Sequence, residues 1–190
     1  MRDVSTPFLM KAENSILVIV DIQTRLAPEI NNIDRVLQTN CALVKAATLL
    51  KVPVVFTEQY SKGLGPTNVL LREMAPNAPV LEKICFNAVI ESKLPDLINS
   101  YNRPDIIVTG TEAHVCVFQT AIGLRGLGHN IIVVGDAVGS RRDSDKSLGL
   151  SRLKSCGCEI VSCEMVLFEW LERANTTAFR ELLPTIRELG

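Results

Sequence analysis

Six short, mostly apolar runs, spaced so that helices fit between them, constrain this chain more than any other feature. They are Ser15–Val20, Val54–Thr57, Val80–Glu82, Asp105–Thr109, Asn130–Gly135 and Glu159–Ser162. A run that is apolar on both faces, as Ser15–Val20 is, belongs in a parallel sheet covered from both sides. Between the runs the period changes. Ile33, Val36, Leu37, Leu43, Val44, Ala47 and Leu50 trace one helical stripe that ends at Lys51. Glu58–Asn68, punctuated by Gly63, Gly65 and Pro66, reads as a loop. Short helices are expected over Leu70–Met74 and from Pro95 to about Tyr101. A longer one runs from about His114 to Gly126. Another, capped by Asp143 or Ser144, reaches Cys156 and stops on a left-handed Gly157. Two amphipathic helices close the chain, about Glu164–Ala174 and Thr177–Glu188, the second kinked or interrupted by Pro184. Strands alternating with helices make an α/β three-layer sandwich, a six-stranded parallel sheet with helices on both faces. Right-handed crossovers and one chain reversal imply the strand order 3-2-1-4-5-6.

Composition narrows the class. The 190 residues are 47% hydrophobic and 22% charged, so a single packed domain over residues 1–190 is expected, with no repeat or linker. Twenty basic residues stand against twenty-one acidic ones, without a basic cluster, so neither nucleic acid nor a membrane surface is an expected partner. Asp3, Lys11 and Glu13 leave no apolar signal core, which points to the cytoplasm. Of the six cysteines, five read as core-filling thiols in a reducing compartment. Cys156-Gly157-Cys158 is too tight for a metal-binding pair, and His114 and His129 are the only histidines, so no metal and no cofactor are expected.

The sixth cysteine differs. In Asp105–Gly128 a buried strand ends at Gly110 and a helix begins, with Cys116 in its first turn. Free amide N–H groups and the helix dipole there favour a thiolate over a thiol, and a nearby cation would favour it further. On that reading Cys116 labels faster than an ordinary thiol near neutral pH. In the 3-2-1-4-5-6 order, strands 1 and 4 flank the topological switch where ligands bind. Asp21 follows strand 1, Lys83 follows strand 3 and Cys116 follows strand 4, so all three reach one crevice. Singly, Asp21 is a loop cap, Lys83 a solvated charge and Cys116 a small core residue. Together they supply a proton acceptor, a cation and a nucleophile, the parts of covalent acyl transfer.

The segments Ile16-Leu17-Val18-Ile19-Val20-Asp21-Ile22-Gln23, Leu81-Glu82-Lys83 and Gly110 through Val117 resemble the isochorismatase-like cysteine hydrolase superfamily. The likeness covers about residues 12 to 165. Thr57 through Gly65 and Glu82-Lys83-Ile84-Cys85-Phe86 are most similar to the isochorismatase-domain-containing proteins. The resemblance implies a catalytic triad of Asp21, Lys83 and Cys116. It also implies a non-proline cis peptide between Thr111 and Glu112, which would aim the Glu112 amide, with that of Cys116, into an oxyanion hole. The implied activity is metal-independent hydrolysis of an amide-like C–N bond of a small molecule, in a homo-oligomer (dimer or tetramer). Gln23, Tyr60, Phe86, Thr111 and His114 are candidate substrate contacts. The chain departs from the amidases of the superfamily at Ala113 and His114, and from metal-dependent nicotinamidases at Thr57-Glu58-Gln59, where those carry Asp-x-His. Authentic isochorismatases need no cysteine.

Other chemistries lack their residues. Gly110-Thr111-Glu112-Ala113 is not a nucleotide-binding glycine motif. Gln23 replaces the second acid of an aspartate phosphatase, and Ile122 the arginine of a cysteine phosphatase. A catalytically silent scaffold or oligomeric interaction protein on the same fold is the competing reading. Phe168, Trp170 and Phe179 would then serve either self-association or an internal core.

Overall fold

A computed structural model describes residues 9–189. Its strands are β1 (Ser15–Val20), β2 (Val54–Gln59), β3 (Val80–Lys83), β4 (Asp105–Thr111), β5 (Asn130–Gly139) and β6 (Glu159–Val161). All neighbouring pairs are parallel and the order is β3-β2-β1-β4-β5-β6, as the connectivity requires. The helices are α1 (Ile33–Leu50), the single turn α2 (Ser61–Leu64), α3 (Val69–Met74), the single turn α4 (Ala88–Glu91), α5 (Leu94–Tyr101), α6 (Cys116–Gly126), α7 (Asp143–Ser155), α8 (Cys163–Leu171) and α9 (Thr177–Glu188).

The two-sided apolarity of β1 is used on both sides. Leu17 and Ile19 enter a core shared with α1, α8 and α9, whereas Ile16, Val18 and Val20 enter one shared with α5, α6 and α7. Side chains alternate across a strand, so six consecutive buried residues feed two layers. Gly110 sits at φ 128°, and a Cβ there would overlap the Val20 carbonyl oxygen. Only glycine lets the exit of β4 close on the exit of β1.

Several boundaries differ from the pattern. β2 continues through Glu58 and Gln59, which pair with Glu82 and Lys83 of β3, and β4 and β5 run on to Thr111 and Gly139 past a register shift between Val108 and Gly110. These polar strand ends look like loop in the sequence because their partners lie on distant segments. Asp143 does not cap α7. Arg142 holds that position without a side-chain bond, while the Asp143 carboxylate accepts from Asn31 Nδ2 at 2.8 Å. α8 stops at Leu171, short of Ala174, where Glu172 turns left-handed at φ 55°. α9 runs unbroken through Pro184. Gly157 is the expected left-handed stop, at φ 81°. Trp170 belongs to the core, its indole N–H donating to Ser15 Oγ at 3.0 Å. Phe179 packs against the same core and Phe168 is half exposed. No described helix is long and apolar enough to cross a membrane.

Candidate active site

Asp21 is the first residue beyond β1 and turns the chain at φ 53°, a conformation that aspartate tolerates better than most residues. Its backbone is tied on both sides: the N–H donates to Thr57 O (3.2 Å) and the carbonyl accepts from Thr111 Oγ1 (2.6 Å). Its carboxylate is fully committed. Oδ1 accepts from Thr57 Oγ1 at 2.7 Å, and Oδ2 pairs with Lys83 Nζ at 2.7 Å, both charged side chains being completely enclosed. Lys83 also donates to Gln59 Oε1 at 2.7 Å. Gln59 is oriented by its own Nε2, which donates to Ile84 O at 2.5 Å. A buried ion pair persists only when such extra hydrogen bonds offset its desolvation. Thr57 and Gln59 lie two residues apart on β2 and point into the same site. Neither stands out as a site residue in the sequence, where the one local signal is that two-residue spacing at a strand's end.

Cys116 is the first residue of α6 and is 5% exposed. Its thiol is pushed up to about 12. Burial does most of this, the Asp21 charge adds to it, Lys83 opposes, and a hydrogen bond to Asp21 and the Glu112 charge contribute the rest. This corrects the expectation of a stabilised thiolate. Lys83 is already neutralised by Asp21, so desolvation prevails and the resting group is a neutral thiol beside a carboxylate. Asp21, Lys83 and Cys116 do meet, but of the three only Lys83 reaches the neighbouring cavity. A cavity of about 410 Å³ is lined by Tyr60, Ser61, Lys62, Glu82, Lys83, Ile84 and Glu91. Asp21 and Cys116 are not among its walls.

The turn from β4 into α6 leaves four amides free. Ala113 N–H donates to Gly139 O at 2.9 Å, and Val115 and Val117 N–H both donate to Glu112 O. The Glu112, His114, Cys116 and Phe118 N–H groups have no acceptor among the described residues. The expected cis peptide between Thr111 and Glu112 is absent. The described peptide bonds are all trans, and the turn is made by Gly110 at φ 128° and Glu112 at φ 56°.

The candidate substrate contacts divide. Gln23 is wholly buried and its amide is spent on the protein: Oε1 accepts from Gln59 N–H (2.8 Å), and Nε2 donates to Gln59 O (3.0 Å) and Gly65 O (2.7 Å). Thr111 uses its hydroxyl on Asp21. Both position the site instead of lining it. Tyr60 and Phe86 are half exposed, Tyr60 on the cavity wall. His114 Nδ1 lies 3.1 Å from Ser140 Oγ. Among the described residues no three His, Cys, Asp or Glu side chains gather where they could hold a metal ion.

Comparison with known proteins agrees with this architecture. Residues 15–165 match the Isochorismatase domain. Isochorismatase family protein 1B of Dictyostelium discoideum is 31% identical over 180 residues, spanning 93% of this chain and 87% of its own. Isochorismatase domain-containing protein 2 of Danio rerio is 32% identical over 173 residues, spanning 91% and 87%. Among solved structures, that of the MAR1 ribonuclease from Caenorhabditis elegans superposes with a TM-score of 0.87 at 32% identity, covering 94% of this chain and 92% of that one. A domain match over most of the length, relatives of similar size and a close structural superposition together mean that the chain belongs to the isochorismatase family of hydrolases.

Proposed function

We propose that the protein is a metal-independent cysteine hydrolase that cleaves an amide-like C–N bond of a small molecule through a thioester on Cys116. The observation that carries this reading is the enclosed Asp21–Lys83 ion pair, 2.7 Å long, lying against the Cys116 thiol at the ends of three different strands. Such a pair is costly to bury and has no packing role that apolar residues would not fill as well.

Asp21 takes the thiol proton as the sulfur attacks the carbonyl carbon, so a free thiolate need not accumulate. Lys83 offsets the charge while the proton is in transit. The oxyanion that forms is met by the Glu112 and Cys116 amides, two of the N–H groups the turn leaves free; one such donor is typically worth about 10²–10³ in rate. The intermediate collapses, the C–N bond breaks, and the nitrogen leaves with the proton held by Asp21. Water then adds to the thioester, gives a proton to Asp21 and releases the acid and the thiol. Tyr60 stands on the wall of the approach.

A small molecule suits the site better than nucleic acid. The thiol is nearly enclosed, and the chain's 20 basic and 21 acidic residues provide no electrostatic track for phosphates. A screen of amides, ureides and carbamoyl compounds, with trapping of the Cys116 adduct by mass spectrometry, tests the proposal. Cys116→Ala is expected to remove turnover while the melting transition stays cooperative. Turnover retained by that variant rules out the thiol as nucleophile. A wild-type protein inert to the whole panel, with no adduct, favours the silent scaffold.

A further inference from the structure

Glu112 Oε2 is a buried side-chain oxygen with no hydrogen-bond partner, on a residue 7% exposed. The other oxygen, Oε1, accepts from Arg141 Nε at 2.9 Å. His114 Nδ1 is 3.4 Å from Oε2 but makes its hydrogen bond with Ser140 Oγ at 3.1 Å. Buried carboxylate oxygens are normally satisfied, so one left open needs a reason. This one stands at the turn that delivers Cys116, close enough for its charge to be felt at the thiol. Of the other charges, Lys62, Glu82 and Glu91 line the neighbouring cavity. Asp21 and Lys83 neutralise each other, and the Arg141 side chain is 61% exposed, where water screens it. At the thiol itself, Glu112 is then the charge that Asp21 and Lys83 do not cancel between them.

Resting on the hydrolase reading above, we propose that Glu112 Oε2 is a specificity-determining acceptor. It takes a hydrogen bond from an N–H-bearing group of the substrate, a primary amide, amidine or ammonium, and it disfavours acidic molecules. This role belongs to the side chain and is separate from that of the Glu112 backbone amide. An N–H donor satisfies the orphan oxygen, whereas a carboxylate brought to the same place faces it charge to charge in a site with little water.

Two methanethiosulfonate reagents of opposite charge, the aminoethyl cation and the sulfonatoethyl anion, test this on the full-length protein. Each forms a disulfide with Cys116, releasing methanesulfinate while the thiol proton passes to solvent. Mass spectrometry counts the product, and exposed Cys156 is the internal reference. The cation-to-anion rate ratio at Cys116 is expected to exceed that at Cys156 by about tenfold. Glu112→Gln brings it to within about twofold of Cys156. Arg141→Ala, at an exposed side chain that threatens the fold less, raises it, and that rise disappears when Glu112→Gln is added. Ratios indifferent to Glu112→Gln, or an Arg141→Ala effect that simply adds to it, overturn the inference and leave the nucleophile standing. A Cys116 that neither reagent labels overturns this inference, because no charged group of that size then reaches the oxygen; the hydrolase reading falls only if the amide panel is inert as well.

Discussion

Asp21 and Lys83 hold each other in place, so at the residue scale stability and chemistry are carried by the same atoms. Replacing one partner leaves the other charge enclosed and uncompensated, which costs about 3–5 kcal/mol, whereas replacing both with groups of similar shape is close to neutral. Asp21→Asn suits the left-handed backbone at φ 53° and keeps an acceptor for Thr57, but strands the ammonium. Lys83→Met strands the carboxylate. We expect each single variant to lose that much in urea unfolding and the double variant to recover most of it, with turnover absent from all three. Additive losses in the double variant refute the coupling. The three proposed catalytic residues were legible in the sequence because each follows a recognisable strand. The thiol's protonation was not. It depends on burial and on which charge already owns Lys83, and both are properties of the assembled site. The open oxygen of Glu112 was hidden for the same reason, since the fold decides that Arg141 takes the other one.

At the scale of elements, the apolar runs were readable wherever the chain itself carries the pattern. They failed at the carboxyl ends of β2, β4 and β5, where polar residues are recruited by a parallel neighbour far away in sequence. Those ends are where the site is built, so the segments least legible as strand are the functional ones. α9 departs in the opposite direction, since its proline neither stops nor splits it. Leu182 and Ile186 are anchored in the core with α1, and two cross-links hold the helices together: Lys45 Nζ to Thr185 Oγ1 at 2.8 Å and Gln38 Nε2 to Glu188 O at 2.7 Å. Packing thus overrides a local penalty that reaches about 3 kcal/mol in an isolated helix. Pro184 is exposed, so Pro184→Ala restores a donor to the Arg180 carbonyl without disturbing the core. A gain of about 1–3 kcal/mol is expected from denaturant melts, with an unchanged m-value. A loss would mean that the helix is held in a shape only proline provides.

Across the whole molecule, the sheet separates two cores, and each contains one strongly perturbed thiol. Cys116 lies in the core of α5, α6 and α7, and Cys163 in that of α1, α8 and α9. Burial is the main cause in both, raising each from an ordinary 9.0 to about 12. The unfolded chain releases these protons near pH 9 while the folded one keeps them to about 12, so between those values the folded state binds more protons and stability falls as pH rises. Below pH 9 both contributions are fully present. Each thiol withdraws at most about 4 kcal/mol by the upper end of that window. Cys116→Ala and Cys163→Ala each forfeit some stability at neutral pH through lost packing, but each flattens the alkaline decline. Because the sites are on opposite faces of the sheet, the two effects should add. Urea unfolding of the wild type, both single variants and the double variant at intervals from pH 8 to 11 measures the slopes, with the lysine and tyrosine contributions common to all four. Four parallel profiles would show that neither thiol is held protonated by the fold. The neutral resting state assigned to Cys116, on which the base role of Asp21 depends, would then have to be abandoned.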